Sequence, residues 1–162
     1  MIHPLIYDWN MLGIDAPAGP RVMLDDETLR DGLQSPSVRC PNIDEKIRIL
    51  HLIDALGIDT ADIGLPGAGP HVEADVERLA REIVDAKLTV AANCAARTVI
   101  ADIVPIVEIS QRTGLKIEAC TFIGSSPIRQ YAEDWPLGKL QRLSEEAVTF
   151  AVKEGLDVMY VT

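Results

Sequence analysis

The sequence predicts an α/β chain built from repeating βα units, and two observations carry that prediction. Gly57-Ile58-Asp59, Gly114-Leu115-Lys116 and Gly155-Leu156-Asp157 each close an amphipathic run and open an apolar one. Glycine just past a helix takes the left-handed conformation of a C′ residue, so each triplet marks a helix end with a strand beginning two residues later. The strand candidates themselves are short and apolar, as in a parallel sheet covered on both faces.

In chain order, the Pro- and Gly-containing residues 1–21 form an N-terminal arm or cap. The first strand is Val22–Asp26. Asn42 then caps a helix, with Glu45 three residues on as the reciprocal partner of a capping box. Ile43, Ile47, Leu50 and Ile53 share one face of that helix, which runs to Leu56. Thr60–Gly64 is the second strand. A helix from about His71 to Lys87 follows, with Val72, Val76, Leu79, Ala80, Ile83 and Val84 at helical spacing. The third strand is placed at Leu88–Ala92. The next helix spans Thr98 to about Arg112, and Pro105 inside it predicts a kink or a late start. Ile117–Phe122 is the fourth strand. A helix from about Gly138 to Glu154 turns Leu140, Leu143, Ala147 and Ala151 inward, and Val158–Val161 is the fifth strand.

Composition narrows the function classes. Acidic residues outnumber basic ones 25 to 15, a balance that argues against a nucleic-acid partner. A small anionic substrate stays compatible with it, since a few local arginines suffice. Three cysteines, with no CxxC among them, argue against a disulfide framework or zinc ribbon and favour a reducing cytoplasm. No apolar run is long enough for a membrane span, and the N-terminus lacks the basic and apolar regions of a signal peptide.

Alternating βα units leave two architectures, an open doubly wound sheet or a (β/α)8 barrel. An open sheet would often carry a glycine-rich phosphate loop after the first strand. Here that loop reads Asp26-Glu27-Thr28-Leu29-Arg30-Asp31-Gly32-Leu33-Gln34-Ser35-Pro36, crowded with charge and without GxGxxG. Asp31 is a hard oxygen ligand suited to a divalent cation. Arg30 offers a permanent charge with several donors, suited to an oxygen becoming negative. Gln34 can orient a substrate oxygen without ionising. Taken alone, an adjacent Arg-Asp pair in a loop is more often a surface ion pair worth about 0–1 kcal/mol.

The string DETLRDGLQSP resembles the D-x-T-L-R-D-G-x-Q signature of the isopropylmalate synthase, homocitrate synthase and HMG-CoA lyase superfamily. Further along, Asp62-Ile63-Gly64-Leu65-Pro66 is similar to its E-x-G-x-P, Ala95-Ala96-Arg97 to its L-A-R, and Thr121-Phe122-Ile123-Gly124-Ser125-Ser126 to its T-F-I-A-T-S. The similarity extends from Val22 to Thr162, and Ser35-Pro36 with the fourth-strand string favours the synthase branch. The resemblance implies a (β/α)8 TIM barrel, of which residues 22–162 would form about the first five strands. It implies an acyltransferase that condenses acetyl-CoA with a 2-oxo acid with the help of Mn2+, Mg2+ or Zn2+. Arg30 would be catalytic and Asp31 a metal ligand. Gln34, Asp62, Arg97 and Thr121 would contact substrate, although Asp62 and Arg97 could equally form a structural network and Thr121 could cap a turn. An acyl-CoA lyase or a non-catalytic half-barrel is the alternative.

Two departures stand out. Cys120 occupies the place of a His common in synthases, and Asp62 that of a Glu. The family's later H-x-H metal pair is not in this sequence, so the chain on its own is expected to be inactive. A half-barrel would also expose two strand edges and an inner face lined by Val22, Leu24, Ile63, Val90 and Phe122, predicting a homo-oligomer.

Overall fold

The computed structural model describes residues 20–162, so the arm assigned to residues 1–21 lies outside it but for its last two residues. The order of elements is β1 (Asp25–Asp26), α1 (Ile43–Ala55), β2 (Thr60–Asp62), α2 (Pro70–Asp85), β3 (Ala91–Arg97), α3 (Ile100–Thr113), β4 (Ile117–Phe122), α4 (Pro127–Glu133), α5 (Leu137–Lys153) and β5 (Asp157–Val161). All neighbouring strands are parallel, and the sheet order is β1-β2-β3-β4-β5. A doubly wound sheet reverses direction at a switch point, whereas this order never does. Strands in sequence order with helices packed in succession, α1 on α2, α2 on α3 and α3 on α5, are the architecture of a partial TIM barrel.

Local chemistry explains most boundaries. Asn42 Oδ1 accepts from Glu45 N at 3.0 Å, and Glu45 Oε2 accepts from Asn42 N at 2.9 Å, which completes the capping box of α1. Gly114, at φ 72°, is the left-handed C-cap of α3. Pro105 is accommodated inside α3. It follows the first turn by two residues, so the bond its missing N–H would make is to Ala101, near the helix start.

Three sequence expectations need correction. The third strand lies at Ala91–Arg97, not Leu88–Ala92; Leu88 and Val90 belong to the turn that leads into it, packed against or within the core. The first strand shrinks to two residues, and Val22 and Leu24 before it are 77% and 55% exposed. Val84 is exposed at the edge of α2's apolar stripe. The short helix α4 and the two 3-10 turns, Asp31–Gln34 and Pro66–Ala68, had no counterpart in the sequence reading.

Register decides which side chains share a face. The rows Ala61–Ala92–Ile117 and Cys94–Ala119–Val158 point to the helices, where Leu50, Val76, Leu79, Ile103, Ile106 and Ile109 meet them in one buried core. Ile63 and Val90 belong to that core too. The rows between them point the other way: Asp25–Thr60–Ala91, Asp62–Asn93–Glu118–Asp157, Ala95–Cys120–Met159 and Arg97–Phe122–Val161. Of the five residues expected to line the inner face, only Phe122 does so. The reason is parity. Strand side chains alternate, so the polar Asp62 pointing inward turns Ile63 outward.

Candidate functional site

The motif loop leaves β1 and folds back immediately. Asp26 Oδ1 accepts from Thr28 N at 2.9 Å, an Asx-type turn. Glu27 carbonyl then accepts from Arg30 N and Gly32 N, which tightens the chain into the 3-10 turn Asp31–Gln34. Leu29 is buried, 4% exposed, and anchors the loop into the core while Arg30 stays on the rim.

Arg30 is the hub of this site. Its Nε donates to Asp62 Oδ2 at 2.9 Å, its Nη2 to Glu27 Oε2 at 2.6 Å, and its Nη1 to Asp31 Oδ1. Burial alone would lower its pKa, but Asp62, Glu27 and Asp31 together hold it above the ordinary arginine value. Three carboxylates fix one guanidinium plane, and a guanidinium has about five N–H donors, so about two remain for another oxygen. A fixed cation with donors to spare can stabilise negative charge that develops on a bound oxygen.

Asp62 is fully buried. Its Oδ1 accepts from Gly64 N at 2.9 Å and its Oδ2 from Arg30. Burial pushes its carboxyl up to about 6, against the opposing effects of the Gly64 N–H and Arg30. Burial also raises Glu27, opposed by Arg30 and reinforced by Asp31 and Asp25. Next to this hub, Asn93 Nδ2 and Thr60 Oγ1 both donate to Asp25 Oδ1. Glu118, in the same row as Asp62 and Asn93, is raised by burial and then by Asp157 and Asp25. Cys120 lies one row higher, its Sγ 3.7 Å from Met159 Sδ. Burial, with Asp62 and Glu27 nearby, pushes its thiol up to about 11, so it is neutral near pH 7.

The structure brings together some of the sequence candidates and separates others. Arg30, Asp31 and Asp62 meet. Gln34 ends the same loop and is exposed. Arg97 is committed elsewhere: its Nε and Nη2 make a bidentate pair with Asp102 at 2.6 and 2.7 Å, which ties the end of β3 to the first turn of α3. Gly67 makes room for this pair, since a Cβ there would sit 2.7 Å from Asp102 Cγ. Thr121 is fully buried in the row Ala96–Thr121–Tyr160, on the helix side of the sheet, and its Oγ1 reaches Met159 O at 3.4 Å. The sequence reading missed Glu27. Its signal was available, an acid three residues before an arginine in a turn, but it occupies the variable position of the motif.

A divalent metal needs several convergent ligands. Among the described residues no three His, Cys, Asp or Glu side chains stand close enough to share an ion. Asp31 is a single carboxylate, 57% exposed and paired with Arg30. The residues present therefore supply one candidate ligand and not a set. No helix among the described residues is long and apolar enough to cross a membrane.

Comparison with known proteins places this geometry among relatives. The family model described as HMGL-like matches residues 21–161. A 2-isopropylmalate synthase of Methylococcus capsulatus is 34% identical over 134 residues, which cover 82% of this chain and 24% of that protein. The 2-isopropylmalate synthase of Aliarcobacter butzleri is 28% identical over 134 residues, 82% of this chain and 23% of that protein. One from a Synechococcus strain is 41% identical over 63 residues, 39% of this chain and 12% of that protein. The matched stretches thus span about a quarter or less of these relatives' length.

Proposed function

The chain belongs to the HMGL-like family, and we propose that it carries the charge-stabilising part of an acyltransferase that condenses acetyl-CoA with a 2-oxo acid, as in 2-isopropylmalate and homocitrate synthases. One observation supports this above the others: the motif arginine, Arg30, is held by Glu27, Asp31 and Asp62 at the C-terminal rim of the sheet. Barrel enzymes place their chemistry at that rim.

In this proposal Arg30 binds and stabilises the substrate oxygen that gains charge as the new carbon–carbon bond forms. The carboxylate ring fixes its plane beforehand, so little reorganisation accompanies the reaction. Asp62 acts through Arg30, since its side chain is fully buried and bonded to Arg30 and to Gly64 N. Gln34, exposed on the same loop, is the residue proposed to orient the 2-oxo acid. A divalent ion would polarise the keto group, and Asp31 is proposed as one of its ligands. The described residues do not complete that ion's shell, and no step here depends on it.

The 162-residue chain is expected to bind a 2-oxo acid at Arg30 without turnover. The test is a titration of the labelled chain with 2-oxoisovalerate and, separately, 2-oxoglutarate, followed by amide NMR. Saturable shifts confined to residues 27–34 and absent from Arg30→Gln support the assignment. Unchanged spectra with both acids refute it. A thiol-release assay with acetyl-CoA should stay flat; steady release would show that this chain holds more of the catalytic machinery than Arg30 and Asp31. The outer edges of β1 and β5 carry no neighbouring strand among the described residues, and association between copies through them is part of the proposal, checked by sedimentation velocity.

A further inference from the structure

A second cavity opens at the same end of the sheet but on its helix side, away from Arg30. It measures about 240 Å³ and sits between the ends of β3 and β4, α4 and α5. Its apolar wall is Val99, Ile123 and Leu143, and Phe122 contributes its backbone. Its floor is fixed, because Thr98 Oγ1 and Thr98 N both donate to Phe122 O, at 2.7 and 3.2 Å. Trp135 and two arginines, Arg97 and Arg129, complete it.

The charge here runs against that of the chain. The Arg129 guanidinium lies 5.8 Å from the centre of the Trp135 ring, and Lys139 Nζ lies 5.0 Å from it. Arg129 has one carboxylate near it among the described residues, Glu133 at 3.6 Å, beyond a close charge-assisted bond. Arg97 spends Nε and Nη2 on Asp102, and its Nη1 has no hydrogen bond among the described residues. An acidic protein thus presents uncommitted cationic donors beside an apolar hollow. Gly124 lets Arg129 lie there: a Cβ at 124 would meet Arg129 Cγ at 3.1 Å.

We propose that this cavity binds a small monocarboxylate with a short hydrocarbon body. The apolar wall takes the hydrocarbon, Arg129 and Arg97 take the carboxylate, and Trp135 covers the site. A cavity of about 240 Å³ is small for a ligand pocket and limits the ligand to a short chain. Such a site is independent of the condensation assigned to Arg30.

Trp135 supplies the readout. The chain has two tryptophans, so a Trp9→Phe background leaves Trp135 as the only indole. The probe is 3-methylbutanoate, with 3-methylbutanamide as its uncharged isostere and acetate as the carboxylate without the body. Saturable change in Trp135 emission is expected with 3-methylbutanoate at roughly millimolar half-saturation. The amide, acetate and the Arg129→Gln variant should each bind about tenfold more weakly or worse. Leu143→Phe, which fills the cavity without changing charge, should abolish the response, with far-UV circular dichroism confirming that each variant is folded. Arg30→Gln should leave it unchanged, so the failure of one site is separable from that of the other. No saturable response, an equal response to the amide, or a response lost with Arg30 would overturn the assignment.

Discussion

The two faces of the one sheet are built from opposite chemistry. Apart from Asp26, Thr121 and Tyr160, the helix face is alanine, isoleucine, valine and cysteine, met by leucine and isoleucine from α1, α2 and α3, and nearly every one of these apolar side chains is buried. The inner face begins with Asp25, Thr60, Asp62, Asn93, Glu118 and Asp157 and becomes apolar only in the rows toward the C-terminal rim. The first face is held by area removed from water. The second is held by hydrogen bonds and ion pairs among polar groups, with Asp62 fully buried at their centre. Stability therefore resides on one side and chemistry on the other, and each prediction below tests that division.

The largest effect should come from the helix face. Leu79 on α2 is 1% exposed. Leu79→Ala should cost about 3 kcal/mol in urea unfolding, the transfer of its side chain plus the cavity left behind. Phe122→Ala, on the inner face at 37% exposure, should cost about 1 kcal/mol. Equal costs for the two would erase the distinction.

Parity also explains what could be read from the sequence. The capping box at Asn42, the glycine punctuation and the strand at Ile117–Phe122 were legible because each is a local signal. The third strand was not. Leu88-Thr89-Val90 has strand-like residues but forms the turn, whereas Ala91-Ala92-Asn93-Cys94-Ala95-Ala96-Arg97 has weak strand propensity and forms the ladder. Its small residues let α3 and the Pro66–Ala68 turn approach the sheet, a tertiary gain that propensity does not contain. Arg30, Asp31 and Asp62 were named from the motif. That Asp62 serves Arg30, that Arg97 serves Asp102 and that Thr121 faces the helices depend on register, which a single strand's sequence leaves open.

Gly64, two residues past the end of β2, links the two faces. It has φ +144°, and an added Cβ would stand 2.6 Å from Val76 Cγ2 in the core. Its N–H meanwhile holds Asp62 on the other side. Gly64→Ala should cost about 2–3 kcal/mol, from backbone strain and the clash together. Adding Val76→Ala removes the clash alone, so any cost beyond that of Val76→Ala itself measures the strain. If that remainder is zero, the backbone at 64 tolerates a side chain and only packing matters there.

Arg30→Met tests the inner face by pH. The folded-state carboxyl of Asp62 sits near 6, above its ordinary value. The folded chain therefore binds the extra proton, and this group's contribution to stability falls as pH rises from the ordinary carboxylate range through about 6. Without the cation that carboxyl should rise further. The variant should lose about 2 kcal/mol at about pH 8, where Asp62 must ionise unpaired or hold a proton, and much less at about pH 5, where it is protonated anyway. Denaturation at the two pH values gives the comparison. A cost that does not shrink on acidification would mean that Arg30 contributes packing and not charge.

The smallest effect should come from Glu118, and its sign is the opposite. Glu118 shares the inner row with Asp62 and Asp157, and burial followed by the charges of Asp157 and Asp25 raises its pKa, with Lys116 opposing. A raised carboxyl disfavours the fold once pH passes the ordinary carboxylate range, because the ionised form is the costly one. Glu118→Gln removes that charge and keeps the shape. It should stabilise the chain by no more than about 0.5 kcal/mol near pH 7, since the group is partly solvated and screening weakens the repulsion. The gain should vanish at about pH 4, where the wild-type side chain is itself neutral, and should shrink in high salt. A loss of stability at neutral pH would instead show that the Glu118 carboxylate is held by a favourable partner, and that repulsion from Asp157 and Asp25 is not the dominant influence on it.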